Sequence, residues 1–488
     1  MAQIHITASE LNVVKQRVQE RYIKIELLNS NYQVVDSLEG VTLNGLISVD
    51  ANSDMRRSAT VKFVITDSSF EVESGGKIWL DKMIALYFGT YSIIETQVIY
   101  TKIGTFVIDT PSYEYDATNN SIQLSLLDLM SKLSGLRNGY LPGVPVTVVA
   151  GENIRQAMID TLALGGFTKY VCEEAPDPGV VPNDLSFSQG SSVYTVLSGL
   201  KDIYPNYEIF FDVDGVFHYQ PIPTGDNEPV QIDDTLWESV VISEKMDVDF
   251  QNVKNYIEVW GRTHDPAHYS TNTTLSGSDI TLTIEDVTAY TDGVIYGFTL
   301  TDNTGITNPT IAILNPADPD VEGSTDLLLE RLSVKNDDGT NATINAEEGE
   351  VYYCVEYVAD GNYFRWLGHL QAFAVAQDNN PDSPFYVEGS VGQIRLALYG
   401  GDYDNCMTDD LAQQRANYEL YMHTNMNDSI TLSCVSFPWL DVNTLVSYTL
   451  QRTGETRQYL VKSFSYGFDV DDSMSITMIR YYPEYSGL

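Results

Sequence analysis

The sequence predicts a mostly β chain of the α+β class, and three observations carry that prediction. Apolar and polar residues alternate at period two through most of its length, as in strands with one buried face. Clusters of Gly, Asn, Asp and Ser break the alternation at short intervals, as hairpin turns require. Helical periodicity is confined to a few segments, between residues 150 and 204 and again over 408–424. A chain of 488 residues that is 43% hydrophobic and 11% aromatic, with 32 tyrosines, has ample material for packed cores. Its length suggests roughly three domains of about 150 residues.

Residues 22–28 put Ile23, Ile25 and Leu27 on one face and Lys24 and Glu26 on the other. Ala59, Val61, Phe63 and Ile65 alternate with Thr60, Lys62 and Thr66, and Ile122, Leu124 and Leu126 with Gln123 and Ser125. With turns at 29–31, 74–76 and 116–120, residues 1–137 read as an antiparallel barrel or sandwich, closed by a short helix near 126–133. After the linker 141–145 the texture changes. Ile154, Ala157, Met158 and Leu162 form a helical stripe that Gly165 and Gly166 stop. Val193, Val196, Leu197 and Leu200 form a second, with Ser191 or Ser192 as N-cap. Tyr207, Ile209 and Phe211 then alternate up to Asp214-Gly215, and Phe217 and Tyr219 alternate away, which predicts a hairpin. Residues 138–240 are thus a small α+β domain.

Residues 241–264 return to strands, with Ile257 and Val259 against Tyr256 and Glu258. Residues 386–488 hold a helix over 408–424, with Thr408 as N-cap and Asp409 and Asp410 suiting its dipole. They also hold strands in which Ile430, Leu432 and Cys434, and then Met474, Ile476 and Met478, alternate with polar residues. Residues 241–264 with 386–488 therefore read as a second β-barrel. Residues 265–385 interrupt it between two breaker clusters, and read as an inserted acidic β domain of the sandwich type: 3 basic residues stand there against 20 acidic ones. No internal repeat is evident by eye.

The whole chain has 27 basic and 68 acidic residues, a formal charge of −41. That balance argues against nucleic-acid or anionic-membrane binding as the main task, since both need a positive surface. The longest apolar run, 83–88, is too short to span a bilayer. Residues 1–5 have neither the basic nor the apolar region of a secretory signal, so a soluble protein made in the cytoplasm is expected. Four scattered cysteines without a CxxC pair make disulfides unexpected.

Catalytic signatures are weak. With 68 carboxylates, paired acids arise by chance, and GxSxG, P-loop and GxGxxG motifs are absent. His264 and His268 stand four apart, but Pro266 between them prevents the helix that would stack them on zinc. Asp212 and Asp214 are explained by the hairpin turn. The sharpest metal candidate is a calcium-type loop in which Asp318, Asp320, Glu322 and Asp326 occupy the first, third, fifth and ninth positions, with Gly323 sixth. It departs from the type at Leu329, the twelfth position, and at Pro319, and its bland alternative is an exposed acidic turn. Tyr290, Tyr296, Tyr363, Phe364 and Trp366 in the insert suit either sugar stacking or a β core.

The order of parts resembles a known family. A strand Gly104-Thr105-Phe106-Val107-Ile108-Asp109 leads into Leu126-Leu127-Asp128-Leu129-Met130, then into the helix 192–204 and the hairpin 207–217. Late in the chain come Phe437-Pro438-Trp439-Leu440-Asp441-Val442-Asn443 and a final Arg480-Tyr481-Tyr482-Pro483. This order is similar to that of the tail hub (baseplate hub) proteins of tailed bacteriophages and phage-tail-like particles. The resemblance covers about residues 15–264 and 386–488, not the insert. It implies two tube-like β-barrel domains per chain, a homotrimer whose six barrels form a pseudo-hexameric ring, and no catalysis or cofactor. It further implies a place in the virion at the tail tip or baseplate, after assembly in the host cytoplasm. The ring joins the sixfold tail tube or distal tail ring proteins to a threefold tip or spike, and lets tape-measure protein and DNA pass without specific binding or membrane insertion. The alternative is a receptor- or carbohydrate-binding tail-tip protein acting through the insert.

Overall fold

The structure, a computed structural model, describes residues 7–481 apart from 17–18, 40–41, 66–67, 116–119, 142, 144, 177–178, 183, 205, 224–231, 233, 248–249, 318–320, 322, 337 and 426–428. A short helix α1 (Ala8–Val14) opens it, held by a capping box between Thr7 and Glu10. Seven strands follow: β1 (Arg21–Leu28), β2 (Val34–Glu39), β3 (Thr42–Asp50), β4 (Arg57–Val64), β5 (Met83–Ser92), β6 (Gln97–Tyr115) and β7 (Asn120–Asp128). They pair antiparallel in the spatial order β3-β4-β7-β6-β5-β1-β2 and curl, so that Ile25, Val61, Phe106 and Leu124 meet inside. The short helix expected near 126–133 is smaller. Residues 126–128 continue β7, and only Leu129–Lys132 turn, as a 3-10 helix, because the Asp128 carboxylate accepts the Met130 amide at 2.9 Å.

The α+β unit contains β8 (Val146–Val148), α2 (Ile154–Leu164), β9 (Tyr170–Cys172), β10 (Leu185–Phe187), α3 (Val193–Lys201), β11 (Tyr207–Phe211) and β12 (Phe217–Pro221). Ser192 caps α3 by accepting the Thr195 amide at 3.1 Å. Gly165 ends α2, with Gly166 behind it in the left-handed region at φ 78°. The predicted hairpin is β11–β12, and β9 joins it in parallel. This unit's core takes in Leu28, Met83, Val107 and Leu129, so it packs on the outside of the first curled sheet.

Helix α4 (Asp234–Val240) runs into β13 (Val241–Asp247), and then comes β14 (Tyr256–Thr263). Eleven strands, β15 to β25, follow between His268 and His369, ending with β24 (Glu347–Val358) and β25 (Tyr363–His369). Nine of them form one mixed sheet around its own core of Ile280, Phe298, Ile313 and Phe364. Last come β26 (Gln371–Gln377), β27 (Arg395–Tyr399), α5 (Asp409–Asn425), β28 (Ser429–Cys434), β29 (Leu445–Thr449), β30 (Thr456–Gly467) and β31 (Met474–Arg480).

Strand pairing corrects two expected boundaries. The insert's sheet ends at His369 rather than near 385, because β26 pairs antiparallel with β14. The stretch 241–264 is split as well. Strand β13 pairs with β28, whereas β14 lies between β26 and a parallel β27 in a separate three-stranded sheet beneath α5. Small residues decide this: Ala374 and Ala376 on β26 meet Ala412 and Ala416 on α5, which lets helix and sheet approach closely.

The pairing also uncovers a repeat. Strands β3, β4, β5, β6 and β7 have the same chain order and the same antiparallel pairings as β13, β28, β29, β30 and β31. Irregularities recur at matching places. The β3–β4 ladder slips after Thr42 and the β13–β28 ladder after Val241; β6–β7 slips after Ile108 and β30–β31 after Val461. The two halves are joined edge to edge by β3 on β30, with Ile47 opposite Tyr466 and Val49 opposite Phe464, giving one twelve-stranded sheet among the described residues. Trp237 of α4 closes the second half. Its ring meets Phe437 and Tyr448 edge-on, and its Nε1 donates to the Ser447 carbonyl at 2.8 Å. Trp237→Ala is expected to cost about 3–5 kcal/mol of stability, read as a lower denaturant midpoint with the strand circular dichroism of the native state retained.

Candidate functional site

The first curled sheet, the α+β unit and the second half meet at a cleft of about 810 Å³. Two consecutive arginines at the head of β4 lie at its floor, both buried. Arg56 is paired with Glu208 of β11, and its guanidinium stacks on the Phe210 ring at 3.6 Å. Glu208 also accepts from Gln220 Nε2 at 3.1 Å and from Asn443 Nδ2 at 2.5 Å, and Asn443 Oδ1 accepts from Lys462 Nζ at 3.2 Å. Arg57 is paired with Asp441 and donates to the Phe211 carbonyl at 2.6 Å. Asn443 holds its place in the left-handed region at φ 53°, which asparagine tolerates better than most residues.

The network is therefore continuous across three parts of the chain. Buried charge is costly to desolvate and is tolerated where each partner is hydrogen-bonded in good geometry. The planar fork of arginine suits that task better than lysine. The one lysine involved registers the cost: burial pushes Lys462 down to about 8. Nearby, burial raises Asp128 to about 6 in spite of Arg57 and Arg56. The β11–β12 turn adds contacts to β6, where Lys102 meets Asp214 at 2.9 Å and Thr105 donates to the Val213 carbonyl at 2.8 Å.

A second polar cluster ties the inserted sheet to the body. His369, the last residue of β25, places Nδ1 2.8 Å from Asp409 at the start of α5 and Nε2 3.2 Å from Glu347 of β24. Asp409 also accepts the amides of His369 and Phe373. Gly368 makes the approach possible, since a Cβ there would lie 2.1 Å from the Asp409 carboxyl carbon. Hydrogen bonding and charge from Asp409, reinforced by Glu347, overcome burial and lift His369 to about 9.

The residues singled out from sequence are dispersed. Asp318, Asp320 and Glu322 lie outside the described residues, and Asp326 accepts the Ala317 amide at 2.8 Å. Among the described residues, no group of three or more His, Cys, Asp or Glu is placed to hold a metal. His264 is buried beside Met407, while His268 stacks on Tyr296 in the inserted sheet. Asp212 accepts the amides of Asp214 and Val216 at 2.9 Å and meets His218 at 3.0 Å, as a turn residue does. Of Tyr290, Tyr296, Tyr363, Phe364 and Trp366 in the insert, Tyr296, Phe364 and Trp366 are buried, and all but Tyr363 belong to its core or pack against it. Burial raises the four thiols, Cys172 and Cys406 to about 11 and Cys354 and Cys434 to about 12, far from thiolate chemistry at neutral pH. Among the described residues, no helix is long and apolar enough to cross a membrane. The arginine network escaped sequence reasoning, although an adjacent Arg pair opening a strand in so acidic a chain was its one visible signal.

Two measurements test these readings. Replacing Glu208 by Ala leaves Arg56 buried without its counter-charge and should cost about 3–5 kcal/mol, whereas Glu174→Ala, in the exposed pair with Arg155, should leave the melt nearly unchanged. The folded-state pKa of His369 lies above its unfolded value of about 6.5. Its contribution is therefore complete below about pH 6.5 and lost as pH rises through about 9. The stability difference between wild type and His369→Gln should be on the order of 1–3 kcal/mol at pH 6 and shrink by pH 10; a difference that grows with pH would refute the assignment.

A domain of unknown function, DUF5048, matches residues 382–485. No curated protein matches the chain in sequence. Among solved structures, the 43 kDa tail protein of prophage MuSo2 from Shewanella oneidensis is similar, with a TM-score of 0.50 at 11% identity, covering 95% of this chain and 99% of that one. A tail protein from Neisseria meningitidis also has a TM-score of 0.50, at 8% identity, covering 95% of this chain and 98% of that one. Along nearly its whole length, then, the chain shares its fold with phage tail proteins.

Proposed function

We propose that the chain is a structural hub at the distal end of a phage tail. Three copies form a ring that joins the sixfold tail tube, or the distal tail ring proteins, to a threefold tip or spike. The single observation that carries this reading is the repeat of five strands, joined edge to edge within one chain on a fold shared with phage tail proteins. Three chains so built present six like units, which is what a junction between sixfold and threefold partners needs.

Charge supports the same reading. At −41 per chain, an acidic wall repels phosphate, so DNA and the tape-measure protein pass during ejection without adhering. The role is structural, with no catalytic step and no insertion into a membrane. The protein is assembled in the host cytoplasm and works in the virion at the tail tip or baseplate. Light scattering on the purified protein at milligram concentrations should give about 163 kDa, three times the 54.4 kDa chain, with a threefold ring in negative-stain averages. A stable monomer under those conditions would count against the hub.

A further inference from the structure

The repeat leaves one joint without its counterpart. Inside the chain, β3 adds to the second half of β30, where β29 has ended. By the pairing scheme, β13 corresponds to β3, and β6 to β30. Strand β5 ends its ladder on β6 at Val107, so residues 110–115 of β6 are paired on one side by β7, and among the described residues no strand pairs the other side. Among the described residues, strand β13 is likewise paired only with β28. The chain thus carries one filled joint and the two unfilled halves of another. Unpaired edges of this kind are templates for strand addition.

We propose that β13 of one copy adds antiparallel to the open edge of β6 in the next copy, closing the ring head to tail. The occupant is a second copy because the chain already makes this joint once with its own equivalent strands. The two pairs of matching ladder irregularities fix the register. Thr42 corresponds to Val241, and Ile108 to Val461, so Leu46, Ile47 and Ser48 correspond to Lys245, Met246 and Asp247. Gly467, Tyr466 and Ser465 correspond to Glu114, Tyr113 and Ser112. Carrying the internal pairs across places Lys245 opposite Glu114, Met246 opposite Tyr113 and Asp247 opposite Ser112.

Three features fit. Opposite charges face each other at the first of these pairs, a favourable cross-strand combination. Tyr466 is buried at the filled joint, whereas its counterpart Tyr113 is 45% exposed at the open one. Tyr115 and Ile242, near the ends of the two open edges, are 83% and 65% exposed. Apolar side chains on open edges are what a mating strand covers.

The inference rests on the hub reading and is tested apart from it. Ser112→Cys with Asp247→Cys, and independently Glu114→Cys with Lys245→Cys, are made in the full chain, where all four positions are exposed. Mild oxidation should convert either double variant into covalent dimers and trimers on a non-reducing gel. The out-of-register pair Ser112→Cys with Lys245→Cys should give at least tenfold less. Light scattering on the same samples separates the failures. A particle of three chains that does not cross-link at either pair overturns the edge assignment and leaves the hub standing. A monomer without cross-links at milligram concentration overturns both.

Discussion

Arg56 and Arg57 stand buried at the place where three parts of the chain converge, each neutralised by a carboxylate from a different part: Glu208 from the α+β unit and Asp441 from the second half. Side-chain ion pairs on the surface contribute little, but a desolvated, fully hydrogen-bonded network has a steep geometric dependence. The relative placement of the two halves therefore depends on it. Asn443 and Lys462 extend the same network into the second half, so that neither half can shift on the other without unpairing a buried charge. The β3–β30 joint supplies the hydrogen-bonded seam, and the arginines fix where that seam lies.

Much of the fold was legible. Alternation gave β1, β4, β7, β28 and β31, and the helical stripes gave α2 and α3, because each segment buries one face and its period reports that directly. The Asp214-Gly215 hairpin was legible because its turn needs those residue types. Three things were hidden. The repeat was invisible because its strands share pairings rather than side chains, and because β13 is parted from β28 by the whole of β14 to α5. The membership of β14 was misread because a strand's alternation says which face is buried and not which strand lies beside it. The burial of Glu208 was hidden because the alternation of Tyr207, Ile209 and Phe211 says nothing of what packs on the other face of their strand, where Glu208 meets Arg56.

The distribution of positive charge has its own logic. In a chain with 27 basic against 68 acidic residues, some of the scarce cations, Arg56, Arg57 and Lys462, are buried. Others are engaged at seams between parts, as Lys102 is with Asp214. Arg56, Arg57 and Lys102 are paired with carboxylates at the same joints, Glu208, Asp441 and Asp214, so the face presented to solvent keeps the strongly acidic balance of the whole chain. Repulsion of this kind opposes casual association.

The separation of β13 from β28 bears on how the protein folds. Asp247 finds its ladder partner only when the ribosome has delivered Ser429. During that interval the waiting edge is exposed, and long-range pairings of this type are slow because loop closure must come first. Its entropic cost grows only as the logarithm of loop length, about 0.6 kcal/mol per doubling. It falls further when the intervening chain is already compact. The inserted sheet and the α5 layer, each with a core of its own, can fold before β28 emerges and hold the two ends of the break near each other. Sequence that interrupts the second half in the gene would then act as a clamp that guides its closure, and loosening that clamp would slow folding without touching a single residue of the seam.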